Sequence, residues 1–200
     1  MQKKLMFRPA LIALLALTVV LAFGCEDRDA ARSRLVVSAL VPAEGTSNLV
    51  TAPYQSDIRD AGEDGELLTA DDAVYEDLVV LTLENQARSG QLALDPSGPF
   101  GSVTLTSYRV DYDLPDEQLE PLVGAVHAVV PTGESVTLSL VLVTAQAKVE
   151  PPLYTLLTTG QELQGNATLT VYGTEETSDE SVTVSAAIRV HFANWADGDD

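Results

Sequence analysis

Val182, Val184, Ala186, Ile188, Val190 and Phe192 occupy alternate positions of the last apolar stretch, with Ser181, Thr183, Ser185, Arg189 and His191 between them. Successive side chains take opposite faces along a β-strand, so this stretch predicts a strand with one buried and one wet face. Similar runs recur upstream. Residues 35–41 read as a first strand, ended by Pro42. Residues 78–83 are apolar on both faces, which predicts a central strand. Residues 122–130, 136–143 and 167–171 add further strands, separated by turn-formers such as Pro131-Thr132-Gly133 and the acidic GTEETSDE. Along 103–112 the apolar face switches. Val103 and Leu105 share one parity; Tyr108, Val110 and Tyr112 share the other. One extra residue shifts the face, so a β-bulge is predicted near Thr106 or Ser107.

One segment breaks this pattern. In EPPLYTLLTTG, residues 150–160, Pro152 suits a first helical turn and Leu153, Leu156 and Leu157 fall at helical spacing. Gly160 suits the stop, so one short helix is predicted near 151–159. Residues 42–76 hold turn-formers and little strand signal, a long connection by ordinary standards. Seven to eight regularly spaced strands predict an all-β fold: an antiparallel β-sandwich, immunoglobulin-like in the broad sense. With a single cysteine, the Cys–Trp–Cys hallmark of antibody domains is absent. The order strand, proline, short helix, strand near 141–173, with TVYG closing the second strand, resembles the LEA-type water stress and hypersensitive response domain. That resemblance implies a small β-sandwich.

The N-terminus has a different character. Lys3, Lys4 and Arg8 precede an apolar run from Ala10 to Phe23, the layout of a signal peptide whose core is too short to span a bilayer comfortably. Ala22-Phe23-Gly24 then predicts cleavage after Gly24. The segment LAFGC resembles a bacterial lipobox, with Gly24 and Cys25 matching, Ala22 where leucine is commoner, and Phe23 bulkier than usual. The resemblance implies thioether-linked lipid on Cys25, and two or three acyl chains anchor firmly where one does not. In enterobacterial lipoproteins an aspartate after the cysteine favours the inner membrane. Glu26 stands there, and the expectation is a bacterial envelope protein on the outer membrane. The chain therefore divides into a signal peptide (1–24), a lipid-anchored tether (25–34), one sandwich domain (35–193) with an acidic loop at 57–77, and an acidic tail (194–200).

Charge narrows the partners. The chain has 11 basic and 30 acidic side chains. The signal peptide takes three of the former and none of the latter, leaving eight against 30, a formal charge of −22. Such a surface repels nucleic acid, and no nucleic-acid partner is expected.

Carboxylates crowd most densely in DAGEDGELLTADD, residues 60–72. Against the pattern of a calcium loop, Asp60 takes the first position, Asp64 the fifth, Gly65 the sixth and Asp71 the last, with Gly62 a mismatch at the third. Glu66 would offer its carbonyl and Asp72 could close the shell. Ca²⁺ takes six to eight oxygens, and Gly65 permits the sharp turn that brings them together. The stretch resembles the D-x-G-x-D-G…T-x-D-D calcium loops of bacterial surface proteins. The alternative is a solvated acidic turn with no ion.

Other chemistry is sparse. His127 lies in an apolar strand, and His191 lies on the polar face of the last strand near Arg189. No paired-histidine spacing, G-x-S-x-G or phosphate loop occurs, so no catalytic residues are assigned and no enzyme is expected. Trp195, the one tryptophan, either caps the core or, with Arg189 and His191, anchors a partner. The expectation is a lipid-anchored, non-catalytic structural or interaction module with an envelope protein partner. The alternative is a ligand- or substrate-binding lipoprotein subunit of an envelope complex, which an exposed Trp195 beside a concave apolar surface would favour.

Overall fold

The computed structural model describes residues 31–43, 53–63, 65–88 and 101–195. Among the described residues, eight strands form two sheets. One sheet holds β1 (Ser33–Pro42), β3 (Asp77–Ala87) and β6 (Ser135–Val143), in the order β1-β3-β6. The other holds β2 (Tyr54–Asp57), β4 (Val103–Asp113), β5 (Leu122–Val130), β7 (Leu163–Glu175) and β8 (Ser181–Ala193), in the order β2-β8-β7-β4-β5. The all-β sandwich read from the sequence is the observed fold, and β3 is central in its sheet. The pairing is antiparallel apart from β2, which runs parallel to β8 from Tyr54 opposite Val190 to Asp57 opposite Ala193.

Alternation places the core. Val79, Leu81 and Leu83 of β3, Leu140 and Leu142 of β6, Leu169 and Val171 of β7, and Val190 and Phe192 of β8 are buried between the sheets. Full burial of such a side chain contributes about 1.5–3 kcal/mol, an upper bound because denatured chains are partly compact. The bulge lies where the parity switch puts it. Pairing of β4 with both β5 and β7 shifts between Leu105 and Ser107, so Val103, Leu105, Tyr108 and Val110 all turn inward.

Two short helices close one end, where the sequence predicts one. The first, α1 (Ala145–Lys148), is capped by Thr144, whose hydroxyl oxygen accepts from the Ala147 amide at 3.1 Å. The second, α2 (Leu153–Thr159), buries Leu153 and Leu156 and ends at Gly160, φ 61°. Buried polar groups join the two sheets. Glu175, fully buried, accepts from the Arg32 amide at 2.7 Å, the Ser33 hydroxyl at 3.0 Å and the Ser178 hydroxyl at 2.7 Å. Asn85 Nδ2 donates to the carbonyls of Gly101 and Val130 at 2.6 and 3.0 Å. Tyr112 donates to the Leu142 carbonyl at 2.6 Å.

Candidate functional site

Three features of chemical interest meet around the four residues of β2. The first is buried. Lys148 Nζ donates to Asp77 Oδ1 and to the Asp57 carbonyl, both at 2.7 Å. Ser56 donates to Asp77 Oδ2 at 2.5 Å. Ser56, Asp77 and Lys148 are all buried. Burial pushes the Asp77 carboxyl above its ordinary value, while the Lys148 charge and hydrogen bonds from Lys148, Ser56 and Tyr54 work against that shift. Every polar atom named here faces a protein partner, so the cluster fastens α1 and β2 onto β3. In the sequence Lys148 is marked by nothing more than being a lone cation just before Pro151.

The second feature is the acidic loop. An isolated bridge pairs Asp60 with Ala73, with amide–carbonyl distances of 3.0 and 3.1 Å. Asp60 Oδ1 accepts from the Gly62 amide at 2.9 Å, and Asp71 Oδ2 from the Glu63 amide at 3.1 Å. Asp72 accepts from the amides of Leu68 at 2.7 Å and Thr69 at 3.2 Å, and its Oδ2 lies 2.9 Å from Arg59 Nε. The Thr69 hydroxyl lies 2.6 Å from Asp71 Oδ1, 3.0 Å from Asp72 Oδ1 and 3.2 Å from the Glu66 carbonyl. Gly62 sits at φ 69°, where a β-carbon would fall 2.6 Å from Asp71 Oδ2. Burial raises the Asp72 carboxyl, but the Leu68 and Thr69 amides, the Thr69 hydroxyl and Arg59 together hold it below the ordinary carboxylate range. The Asp60, Asp71 and Asp72 carboxylates thus fold the loop through its own amides. Glu66 has an exposed side chain. Among the described residues no group of three or more His, Cys, Asp or Glu side chains is arranged to hold a metal. Asp64 lies outside the described residues, as does Cys25.

The third feature is the C-terminal corner. Trp195 is half-buried, with its ring edge-on to His191 at 4.8 Å between centroids and 86° between planes. Its amide donates to Asp57 Oδ1 at 3.0 Å. His191 Nε2 lies 2.8 Å from Glu162 Oε2 and 3.2 Å from Gln164 Nε2. Arg189 is exposed two residues earlier on the same face. The structure therefore brings Trp195 and His191 together and leaves Arg189 alongside in solvent. His127 is exposed on the outer face of β5.

No family model and no curated protein matches this chain. Among solved structures it is similar to a crystal structure described only as a protein from Archaeoglobus fulgidus. Identity is 8% and the TM-score 0.43, over 79% of this chain and 97% of that one.

Proposed function

We propose that this chain is a lipid-anchored, non-catalytic module of the bacterial envelope, held to the outer membrane through Cys25 and presenting a β-sandwich to other envelope proteins. The observation that carries this reading is how soon the fold begins after LAFGC. Ala31 is already buried, the Arg32 amide is bound to Glu175, and β1 starts at Ser33. At full extension the chain from Cys25 to Ala31 reaches about 20 Å. A tether that short suits a domain kept close to its anchor. The buried polar groups support a structural role, because Lys148, Asp77 and Glu175 use their hydrogen bonds to join elements. In this reading Ca²⁺ is the ion the 60–72 loop would take, on Asp60, Asp64, Asp71, Asp72 and the Glu66 carbonyl, as a stiffener of an already hydrogen-bonded turn.

Fatty-acid labelling and detergent phase partition test the anchor. The expected result is a labelled protein in the detergent phase, with Cys25→Ala unlabelled and in the aqueous phase. An unlabelled wild type, or a mature N-terminus other than residue 25 by mass spectrometry, overturns the reading.

A further inference from the structure

Lys148 and Asp77 are placed for a reaction as well as for an ion pair. The chain has three lysines, Lys3, Lys4 and Lys148, and its other eight basic residues are arginines. Among the described residues Lys148 is therefore the one lysine, and its side chain is 2% exposed against an Asp77 side chain 9% exposed. A buried ion pair alone favours arginine, whose planar fork is weakly hydrated and binds both carboxylate oxygens. An amine offers what a guanidinium does not, a nitrogen that becomes a nucleophile on losing one proton.

Lys148 Nζ lies 2.7 Å from Asp77 Oδ1, so it is within about 4 Å of the carboxyl carbon, and attack begins from about 3–3.5 Å. The ammonium has three protons and, among the described residues, two acceptors, Asp77 Oδ1 and the Asp57 carbonyl. An amide in the same place would have one proton and one carbonyl oxygen. The Asp57 carbonyl is there for the first, and the Ser56 hydroxyl, 2.5 Å from Asp77 Oδ2, for the second. These surroundings satisfy an amide more fully than an ammonium. Burial also raises the Asp77 carboxyl, which favours the protonated acid that such a reaction consumes.

We propose that Lys148 and Asp77 condense to an intramolecular amide, joining α1 to β3 by a covalent bond. One proton passes from Nζ to Oδ1 along their hydrogen bond, leaving an amine and a carboxylic acid. The nitrogen lone pair then bonds to Cγ, and the C=O electron pair moves onto Oδ2, where the Ser56 hydroxyl stabilises the charge. A second proton passes from nitrogen to Oδ1, the Cγ–Oδ1 bond breaks, and water leaves. The Cγ–Oδ2 double bond re-forms, and the third proton stays on nitrogen, facing the Asp57 carbonyl. No oxidant or other reagent takes part. Among the described residues no third carboxyl is hydrogen-bonded to the pair to carry these protons, so the step is slow. Newly made chain holds the ion pair, and aged chain the amide. A single cysteine forms no internal disulfide, and this bond would give the fold a cross-link indifferent to reductant. This inference stands apart from the lipid anchor.

The test uses the full chain made in a bacterial host. Samples taken at once and after a week at growth temperature are unfolded, cut with trypsin and weighed by mass spectrometry. An unmodified Lys148 gives peptides 60–88, 110–148 and 149–189 at their sequence masses. Trypsin does not cut after an acylated lysine, so the amide joins 60–88 to an uncut 110–189, one water below their summed mass. The expected result is this joined species, growing over the week until it exceeds the separate peptides, with fragmentation placing the link between Lys148 and Asp77. Lys148→Arg keeps the cation and should give separate peptides at every age. Ser56→Ala should slow the growth about tenfold or more. Separate peptides alone after the week, or a link that fragmentation places on another carboxyl, overturn the proposal. Where Lys148→Arg fails to fold, the wild-type masses decide by themselves. A joined species that grows equally fast in Ser56→Ala overturns the role given to Ser56.

Discussion

Lys148 shows how much one side chain can hold. Its ammonium reaches β2 through the Asp57 carbonyl and β3 through Asp77, both at 2.7 Å, with 2% of the side chain exposed. Removing one member of a buried pair leaves the other charge without compensation, which costs about 3–5 kcal/mol. Lys148→Met should lose that much in urea unfolding, and adding Asp77→Leu should restore most of it, since apolar replacement of a whole pair is often neutral. A loss under about 1 kcal/mol would mean that solvent screens the pair. Asp72 is a different case. Its carboxyl is depressed in the folded state, so its contribution is complete above about pH 4 and fades as pH falls through the lower folded value. Asp72→Asn should melt below wild type at neutral pH, and the gap should narrow on acidification below that value. If Ca²⁺ stiffens the loop as proposed, millimolar Ca²⁺ should raise the melting temperature of wild type relative to chelator and leave that of Asp72→Asn unchanged. An unchanged wild type would mean that loop amides alone hold the turn.

Among the elements, β5 and β4 show how a small residue makes room for a large one. Tyr108 stands opposite Gly124, and a β-carbon at 124 would fall 2.2 Å from the Tyr108 ring. Gly124→Ala must displace that buried ring, an overpacking that costs about 1–3 kcal/mol. Guanidinium unfolding should show the loss, and Tyr108→Leu in the same chain should recover part of it. Unchanged stability in Gly124→Ala would mean that the ring moves freely. Elements of this kind are legible in sequence to unequal degrees. The bulge at Leu105–Ser107 could be read because the parity of Val103 and Leu105 conflicts with that of Tyr108 and Val110. α2 could be read because Pro152 and Gly160 bracket three leucines. β2 could not. YQSD is too short to show a period, and what defines it is a parallel partner beginning at Val190. The Lys148–Asp77–Ser56 cluster escaped for the same reason, since its members lie on three separate elements and none carries a local motif. The acidic loop was visible as a cluster of carboxylates, but that Asp72 would accept the Leu68 and Thr69 amides depends on a backbone path that composition does not specify.

At the scale of the whole molecule, the described sandwich is fastened at both ends. Glu175 ties the start of β1 to the β7–β8 turn, and Lys148 ties α1 to β2 and β3. The parallel strand has a further consequence, in time rather than space. Tyr54 meets Val190, so β2 has no strand to pair with until nearly the whole chain is present. Contacts so distant in sequence form late, and folds rich in them assemble over milliseconds to seconds. A chain released N-terminus first must therefore carry the segment between β1 and β3 open until β8 arrives. Its final strand is then the step that commits the molecule to its native form.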